Sequence, residues 1–137
     1  MARITLFRHA KAETPTMQKS DFDRVLAKRG RRNADRMGRF IARNNLLPDM
    51  VIASPAARTR ETYELASVHW PDIPVIYRDS IYEASASTIL GAIDALAGDA
   101  ERVMVIGHNP GLAILLGNLV ETLPPDADIF YFPTSCL

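Results

Sequence analysis

The chain has 137 residues, of which 47% are hydrophobic and 23% charged, and its 16 Lys and Arg residues balance 16 Asp and Glu residues. A chain of this length usually builds one core, so we expect residues 1–137 to form a single domain. A net charge of zero argues against a surface devoted as a whole to nucleic acid or anionic lipid. We therefore expect neither nucleic acid nor a membrane as a partner.

The N-terminal part predicts two strands, two helices and one long loop. The apolar run at residues 3–7 predicts a buried strand and is too short for a signal peptide or a membrane span, so we expect a cytoplasmic protein. The polar segment at residues 11–28 lacks clear periodicity, and loops of this length in compact domains are more often functional than idle. A helical apolar stripe before Pro48, a strand at residues 50–53 and a helix after Pro55 follow.

The C-terminal part repeats the alternation of strands and helices. Residues 75–77 and 102–106 predict strands, and apolar residues at helical spacing precede and follow the second of these. Residues 129–132 predict a last strand, after which the sequence stops. Because little would cover such a strand, we expect the natural chain to extend beyond Leu137. Cys136 is the only cysteine and is interpreted as an incidental thiol.

This alternation is typical of the α/β fold class. It predicts a three-layer α/β/α architecture with a mostly parallel central sheet covered by helices on both faces. In such sheets, ligands collect at the carboxyl ends of the strands. Residues that follow the predicted strands are therefore the first candidates for a functional site.

Basic side chains follow three of these strands. Arg8 and His9 follow the first strand, Arg58 comes five residues after the second, and His108 follows the strand at residues 102–106. Arginine matches phosphoryl oxygens with two parallel hydrogen bonds, and a neutral imidazole is an available nucleophile at physiological pH. A second histidine, if protonated, would stabilise the charge of the transition state. The pattern predicts an anion-binding pocket suited to phosphoryl transfer.

Each of these residues also has an ordinary structural interpretation. An Arg-His pair after a strand is often a surface pair. Arg58 could be a solvated helix residue paired with Glu61, and His108 could sit in a turn formed by residues 109–111. The coincidence of three strand ends favours the pocket.

Four motifs occur in a fixed order. They are LFRHAKAE at residues 6–13, Asp-x-x-Arg-x-Leu followed by Gly30 at residues 21–30, SPAARTRET at residues 54–62 and VIGHNPGL at residues 105–112. In this combination the chain, from its start to about Leu119, resembles the histidine phosphatase superfamily and within it the SixA-like phosphohistidine phosphatases. The resemblance implies a phosphoglycerate mutase-like fold.

The resemblance also implies roles for residues. His9 would be phosphorylated transiently, Arg8 and Arg58 would clamp the phosphoryl oxygens, and His108 would complete the pocket. Arg24 would be a further phosphate or substrate contact, with a surface ion pair to Asp21 as the alternative.

Two more residues are candidates on weaker grounds. Asn109, next to the second histidine of the pocket, is expected to contact substrate. In the mutase and phosphoesterase branches an acidic residue protonates the leaving oxygen, and by its order along the chain Glu83 is the candidate. SixA-like members resemble one another in lacking a clear counterpart of this acidic residue. Its absence fits an imidazole leaving group, which departs from phosphorus more readily than an alkoxide and needs less help from a proton donor. The alternative for Glu83 is a solvated loop carboxylate.

The sequence therefore predicts a phosphatase that transfers a phosphoryl group to His9 and then to water, releasing inorganic phosphate. We expect no metal and no other cofactor, because the three histidines lack metal-ligand spacing, and we expect His69 to be an exposed loop residue. The expected substrate is a phosphohistidine protein. The alternatives are a small phosphate ester, a mutase reaction, which the short chain disfavours, and a non-catalytic phosphate-recognition module, which would not need His9.

Overall fold

The central sheet is built from short apolar runs that the sequence encloses between charged or turn-forming residues. The computed structural model describes residues 3–122 and 127–133, so the interpretation of Cys136 and the expectation about Leu137 lie outside the described residues. Within them, five strands pair in the order β3-β2-β4-β1-β5, and every pair is parallel. The strands are β1 (Arg3–Arg8), β2 (Met50–Ala53), β3 (Val75–Tyr77), β4 (Arg102–Gly107) and β5 (Asp128–Phe132).

Helices connect the strands, as the apolar periodicity predicts. They are α1 (Lys28–Arg43), α2 (Ala57–Ala66), α3 (Ala86–Leu96) and α4 (Gly111–Thr122), together with short 3-10 helices at Asp21–Asp23, Ser67–His69 and Asp79–Ile81. In α3, the Ser85 hydroxyl caps the first turn by accepting from the backbone N–H of Thr88 at 3.3 Å. Such a cap satisfies one of the free N–H groups at a helix start.

Two hydrophobic clusters lie on opposite faces of the sheet. One contains Ile4, Ile52 and Val105 of the sheet packed against buried residues of α3 and α4. The other contains Phe7, Val51 and Ile106 packed against α1, α2 and Trp70. Strands covered on both faces need apolar side chains on both, which explains their continuous apolar runs. The predicted three-layer α/β/α architecture is confirmed.

Two glycines allow α1 to approach its neighbours closely. A Cβ added to Gly38 would lie 2.2 Å from the carbonyl oxygen of Ala66 in α2, and one added to Gly30 would lie 2.0 Å from the carbonyl oxygen of Lys11. Neither distance leaves room for a side chain. Gly38 therefore sets the spacing between α1 and α2, and Gly30 holds the start of α1 against the segment that follows β1.

The structure corrects the expectation for His69. This residue ends a 3-10 helix, its side chain is only 22% exposed, and its Nε2 lies 2.8 Å from Oδ1 of Asp35 in α1. The carboxylate draws the imidazole onto α1, a long-range contact that local sequence does not reveal. No helix in the described part of the chain is long and apolar enough to span a membrane.

Candidate active site

An open cavity of about 370 Å³ lies at the carboxyl ends of β1, β2 and β4. These three strands are adjacent in the sheet, so the residues that follow them meet at one edge. All seven residues that the sequence singled out line this cavity, together with Lys11 and Ala12: Arg8, His9, Arg24, Arg58, Glu83, His108 and Asn109.

The parallel pairing of β1 with β4 brings the two histidines together. Arg8 is the register partner of Gly107, and the backbone N–H of His9 donates to the Gly107 carbonyl at 3.1 Å. The chain leaves both strands at this point, and the ring centroids of His9 and His108 come to lie 5.2 Å apart. Both rings are buried, with exposures of 8% and 3%.

Backbone geometry fixes the tautomer of His9. Its Nδ1 lies 2.8 Å from the carbonyl oxygen of Ala10, and because a carbonyl only accepts, Nδ1 carries the proton. Nε2 consequently holds the lone pair and accepts from Nε of Arg58 at 3.3 Å. Burial lowers the pKa of His9 to about 4, and the nearby Arg58 charge acts in the same direction. The imidazole is therefore neutral near pH 7, the form in which it is nucleophilic.

His108 is also neutral in the free site. Burial, followed by the proximity of His9 and Arg58, lowers its pKa to about 3. Its Nδ1 lies 3.3 Å from an Arg58 nitrogen, which can only donate, so Nδ1 accepts and Nε2–H donates to the Ser54 hydroxyl at 2.8 Å. The protonated His108 considered in the sequence analysis is therefore not the state of the free cavity.

Arg58 occupies the centre of the site with only 1% exposure. Besides its bond to His9, its terminal nitrogens donate to the Asp21 backbone carbonyl at 2.7 Å, to the Asp21 carboxylate at 3.0 Å and to Glu83 Oε1 at 3.0 Å. A pairing with Glu61 does not form, because Glu61 Oε1 accepts from the backbone N–H of Leu26. In the free site, carboxylate oxygens therefore accept hydrogen bonds from Arg58 N–H groups of the kind that bind phosphoryl oxygens.

Asp21 is a site residue that sequence reasoning did not single out. Its carboxylate accepts hydrogen bonds from Tyr82, Arg24 and Arg58, and the bond from Tyr82 contributes most to lowering its pKa. It belongs to the polar segment at residues 11–28, which was predicted to be functional. The only sequence signal for Asp21 itself is the Asp-x-x-Arg-x-Leu element.

Arg8 and Arg24 differ in how their charge is balanced. Both side chains have a buried Nε without a hydrogen-bond partner among the described residues, and Arg8 in addition forms no ion pair with any of them. Arg24 pairs with Asp21 at 2.9 Å and donates to the Glu13 carbonyl at 3.0 Å, so the alternative ion pair is present although Arg24 also lines the cavity. An uncompensated guanidinium beside His9 makes the cavity attractive to anions.

Glu83 and Asn109 take different positions at the rim. Glu83 has a left-handed backbone, with φ of 51°, and its half-exposed carboxylate lies 3.7 Å from His108 Nδ1. The Asn109 amide is already engaged, because it donates to the Tyr131 hydroxyl at 2.8 Å and accepts from the backbone N–H of Ala113 at 3.1 Å. Substrate contact by Asn109 stays a prediction.

Within residues 3–122 and 127–133, no group of three or more His, Cys, Asp or Glu side chains could hold a metal ion. The charged groups available at the cavity are instead three arginines, one lysine and one carboxylate. This donor set fits a tetrahedral oxyanion better than a cation, since guanidinium and ammonium groups only donate.

The comparison with known families agrees with this site. The histidine phosphatase superfamily (branch 1) matches residues 4–109, and the chain belongs to this superfamily. Its fold is the phosphoglycerate mutase-like fold: a phosphoglycerate mutase from Plasmodium falciparum superposes with a TM-score of 0.63 at 22% identity, over 89% of this chain and 71% of that one.

Two more similar proteins narrow the relationship. A putative phosphohistidine phosphatase SixA from Agrobacterium tumefaciens superposes with a TM-score of 0.80 at 32% identity, over 85% of this chain and 75% of that one. An uncharacterized protein of Mycobacterium tuberculosis strain H37Rv is 33% identical in an alignment 133 residues long, which covers 93% of this chain and 82% of the relative. The resemblance found in the sequence is confirmed, and the family membership supports phosphatase activity.

Proposed function

We propose that the chain hydrolyses phosphohistidine in proteins through transient phosphorylation of His9. The observation that carries the proposal is the state of His9: a buried, neutral ring whose Nδ1–H is tied to the Ala10 carbonyl and whose Nε2 lies in a cavity lined by arginines. The similarity to a protein described as a phosphohistidine phosphatase supports this substrate class. The cytoplasmic location predicted from the sequence is part of the proposal.

In the first step, the His9 Nε2 lone pair attacks phosphorus as the bond from phosphorus to the substrate imidazole breaks. The departing imidazole nitrogen takes its proton from solvent, and the phosphoryl oxygens replace the Asp21 and Glu83 carboxylates on Arg58. Arg8, whose Nε has no partner, supplies further donors. Burial is the main cause of the low His108 pKa, and a negatively charged phosphoryl group opposes it and the repulsion from Arg58, so it favours a protonated, donating His108.

In the second step, water attacks the phosphorus of the phosphorylated enzyme, the bond from His9 Nε2 to phosphorus breaks, and inorganic phosphate leaves. The hydrogen bond from Nδ1 to Ala10 keeps the ring oriented throughout. His9 thereby returns to its starting tautomer. Each cycle converts one phosphohistidine and one water molecule into histidine and inorganic phosphate. None of these steps needs a metal.

A second candidate function is hydrolysis of small phosphate esters, which the position of Glu83 favours. Its carboxylate lies 3.0 Å from Arg58 at the open side of the cavity, where a leaving group would emerge. An alkoxide is a poorer leaving group than an imidazole and gains more from a proton donor. An esterase would therefore depend on Glu83, whereas a phosphohistidine phosphatase would not.

The experiment compares phosphate release from a phosphohistidine protein with release from a panel of phosphate esters. We expect the wild type to prefer phosphohistidine, and we expect His9→Ala to lose at least about 10³-fold in kcat, since a covalent route cannot proceed without its nucleophile. His69→Ala is the matched control, because His69 lies outside the cavity and pairs with Asp35. EDTA should leave turnover unchanged.

Three outcomes would contradict the proposal. Full activity of His9→Ala would exclude the covalent mechanism. A preference for esters that collapses in Glu83→Gln would move the assignment to a phosphomonoesterase. Phosphate binding by the wild type, without turnover of any substrate and with the fold intact by circular dichroism, would identify a recognition module.

A further inference from the structure

The net charge of zero conceals a strong separation of charge along the chain. Residues 1–43 contain 12 of the 16 Lys and Arg residues but only 4 of the 16 Asp and Glu residues. Seven of these basic residues lie in α1, where Asp35 is the only acidic one. The positive charge of this neutral protein is therefore concentrated on one helix, where it can act on a binding partner.

Five arginines of α1 lie on one face. Their spacing of three and four residues places them within a narrow arc on the side opposite the buried residues Ala34, Met37 and Ile41, and all five are exposed. The arginine stripe consists of Arg29, Arg32, Arg36, Arg39 and Arg43. At 1.5 Å per residue it is about 21 Å long.

The arginine stripe is largely without internal partners. Arg39 pairs with Asp35 at 3.3 Å, whereas the side chains of Arg29, Arg32, Arg36 and Arg43 form no hydrogen bond or ion pair with any described residue. Like charges at this spacing repel one another and destabilise the helix slightly. The arrangement therefore brings α1 little internal ion-pair stabilisation and leaves four exposed guanidinium groups available to an anionic partner.

The N-terminal end of α1, where the stripe begins, lies next to the candidate active site. The first turn of α1 rests on Lys11, a cavity residue, through Gly30 and through the Ala27 N–H, which donates to the Lys11 carbonyl at 2.9 Å. A crevice between α1 and the end of β1 is lined by Asn33 and also by Arg8. The stripe therefore begins at the end of α1 that contacts a residue of the cavity.

The cavity itself offers little to hold a substrate beyond its phosphoryl group. Its lining is almost entirely charged or polar, so affinity for a large substrate must come from a surface outside it. At the far end of the stripe, Arg36, Arg39 and Arg43 form an open groove with Phe40, which is 38% exposed. Arginine beside an exposed aromatic ring is typical of protein–protein contacts.

We propose that the arginine stripe of α1 is a docking surface for an acidic protein whose phosphohistidine enters the cavity. The proposal rests on the proposed function, because it identifies the protein substrate as one with an acidic surface beside its phosphorylated histidine. Charge complementarity between the stripe and the acidic surface would select the substrate protein and speed its association with the enzyme. The phosphoryl transfer itself would still be carried out by His9.

The test uses two synthetic peptides that each begin with phosphohistidine and a spacer of six Gly and Ser residues, which reaches about 20 Å when extended. One ends in six Glu residues and the other in six Gln residues. We expect wild-type kcat/KM at low salt to be about tenfold higher for the Glu peptide, since exposed ion pairs are individually weak. The difference should shrink at 500 mM salt, where such charges are screened.

The arginine pair tested is Arg32→Gln/Arg36→Gln, and the matched control is Arg60→Gln/Arg78→Gln, which removes two exposed arginines away from α1. The first variant should lose the preference for the Glu peptide and keep the wild-type rate on the Gln peptide. The control should keep both. An unchanged preference in the first variant, or equal rates of the wild type on both peptides, would overturn the proposal.

Binding of the unphosphorylated peptides, measured by fluorescence anisotropy, separates docking from catalysis. If neither phosphopeptide is hydrolysed, the proposed function fails, and stripe-dependent binding of the Glu peptide still upholds the acidic docking surface. Binding to a 20-nucleotide single-stranded DNA and to phosphatidylserine vesicles is measured in the same way. If either is bound more tightly than the Glu peptide, and this binding depends on Arg32 and Arg36, the assignment to a protein partner is overturned. Stripe-dependent dimerisation at low salt, measured by sedimentation, would overturn it in favour of a second copy.

Discussion

The Nε–H of Arg58 donates to Nε2 of His9 at 3.3 Å, so the atom proposed as the nucleophile is held by the most buried charge of the site. The same guanidinium reaches two carboxylates and a backbone carbonyl. Its planar set of donors makes these contacts simultaneously, which an ammonium group on a flexible stem cannot reproduce. Arg58 therefore links the orientation of His9 to the binding of an anion.

Replacing Arg58 by Lys keeps the charge but removes this geometry. We expect kcat/KM to fall by about 10²- to 10³-fold, the range for loss of a well-placed donor to transition-state charge, and stability to fall by about 1–3 kcal/mol as buried acceptors lose partners. Arg60→Lys, on the same helix but exposed over the Tyr77 ring, is the control. Steady-state kinetics and urea unfolding measure both quantities, and an Arg58→Lys enzyme within threefold of the wild type would contradict the interpretation.

Asp21 competes with the phosphoryl group for Arg58 and Arg24. Asp21→Asn removes the negative charge, so we expect inorganic phosphate to inhibit about three- to tenfold more strongly, as expected when two partly exposed ion pairs are lost. The value of kcat should fall, because Arg58 loses the charged acceptor that helps to fix its orientation. Tyr82→Phe, which keeps the carboxylate and removes one donor to it, should change phosphate inhibition far less. Weaker phosphate inhibition in Asp21→Asn would refute this account.

The grouping of His9, Arg58 and His108 could be anticipated because it depends on local features. Each follows a short apolar strand, and parallel strands place their carboxyl ends at one edge. The contact of Asp21 with Arg58 could not be anticipated, because it depends on how residues 11–28 fold back, closed by an isolated bridge between Ala12 and Leu26. The chemical roles of all these residues stay predictions until they are tested.

Long-range contacts also explain the other differences between sequence and structure. His69 was expected to be exposed because Trp70 and Pro71 follow it, but Asp35, 34 positions away, binds it. Asn109 lines the cavity, and the sequence likewise does not reveal that its amide bridges Tyr131 and the start of α4. Periodicity predicts which face of a helix is buried, but it does not say which polar side chain meets which partner.

Gly38 provides a test of the packing between α1 and α2. In Gly38→Ala the new methyl group would lie 2.2 Å from the Ala66 carbonyl oxygen, so we expect the free energy of unfolding to fall by about 1–3 kcal/mol, the usual cost of overpacking. Gly91→Ala, in α3, is the control, since nothing lies within 4 Å of its new Cβ. There the higher helix propensity of Ala should raise stability by about 0.5–1 kcal/mol. Urea unfolding measures both, and equal effects of the same sign would contradict the packing described.

The two buried histidines predict how stability depends on pH. Both have a pKa of about 6.5 when unfolded, and burial lowers these values to about 4 for His9 and about 3 for His108 in the folded protein. Between pH 6.5 and 4 the unfolded chain therefore binds more protons than the folded one, and stability falls as the pH falls. Above pH 6.5 these residues are largely unprotonated in both states, so the loss of stability that they cause at lower pH is absent there.

The expected slope is about 1.4 kcal/mol per pH unit for each histidine within this window. Urea unfolding in phosphate-free buffer from pH 7.5 to pH 5 measures it, a range above the ordinary titration of Asp and Glu. His108→Asn should flatten the slope by about half, because one of the two groups that take up a proton on unfolding is gone. Gly91→Ala, which changes no titratable group, should leave the slope unchanged. A wild-type stability that is constant between pH 7 and 5 would show that the two rings take up protons equally in the folded and unfolded states, which contradicts the lowering of their pKa values by burial.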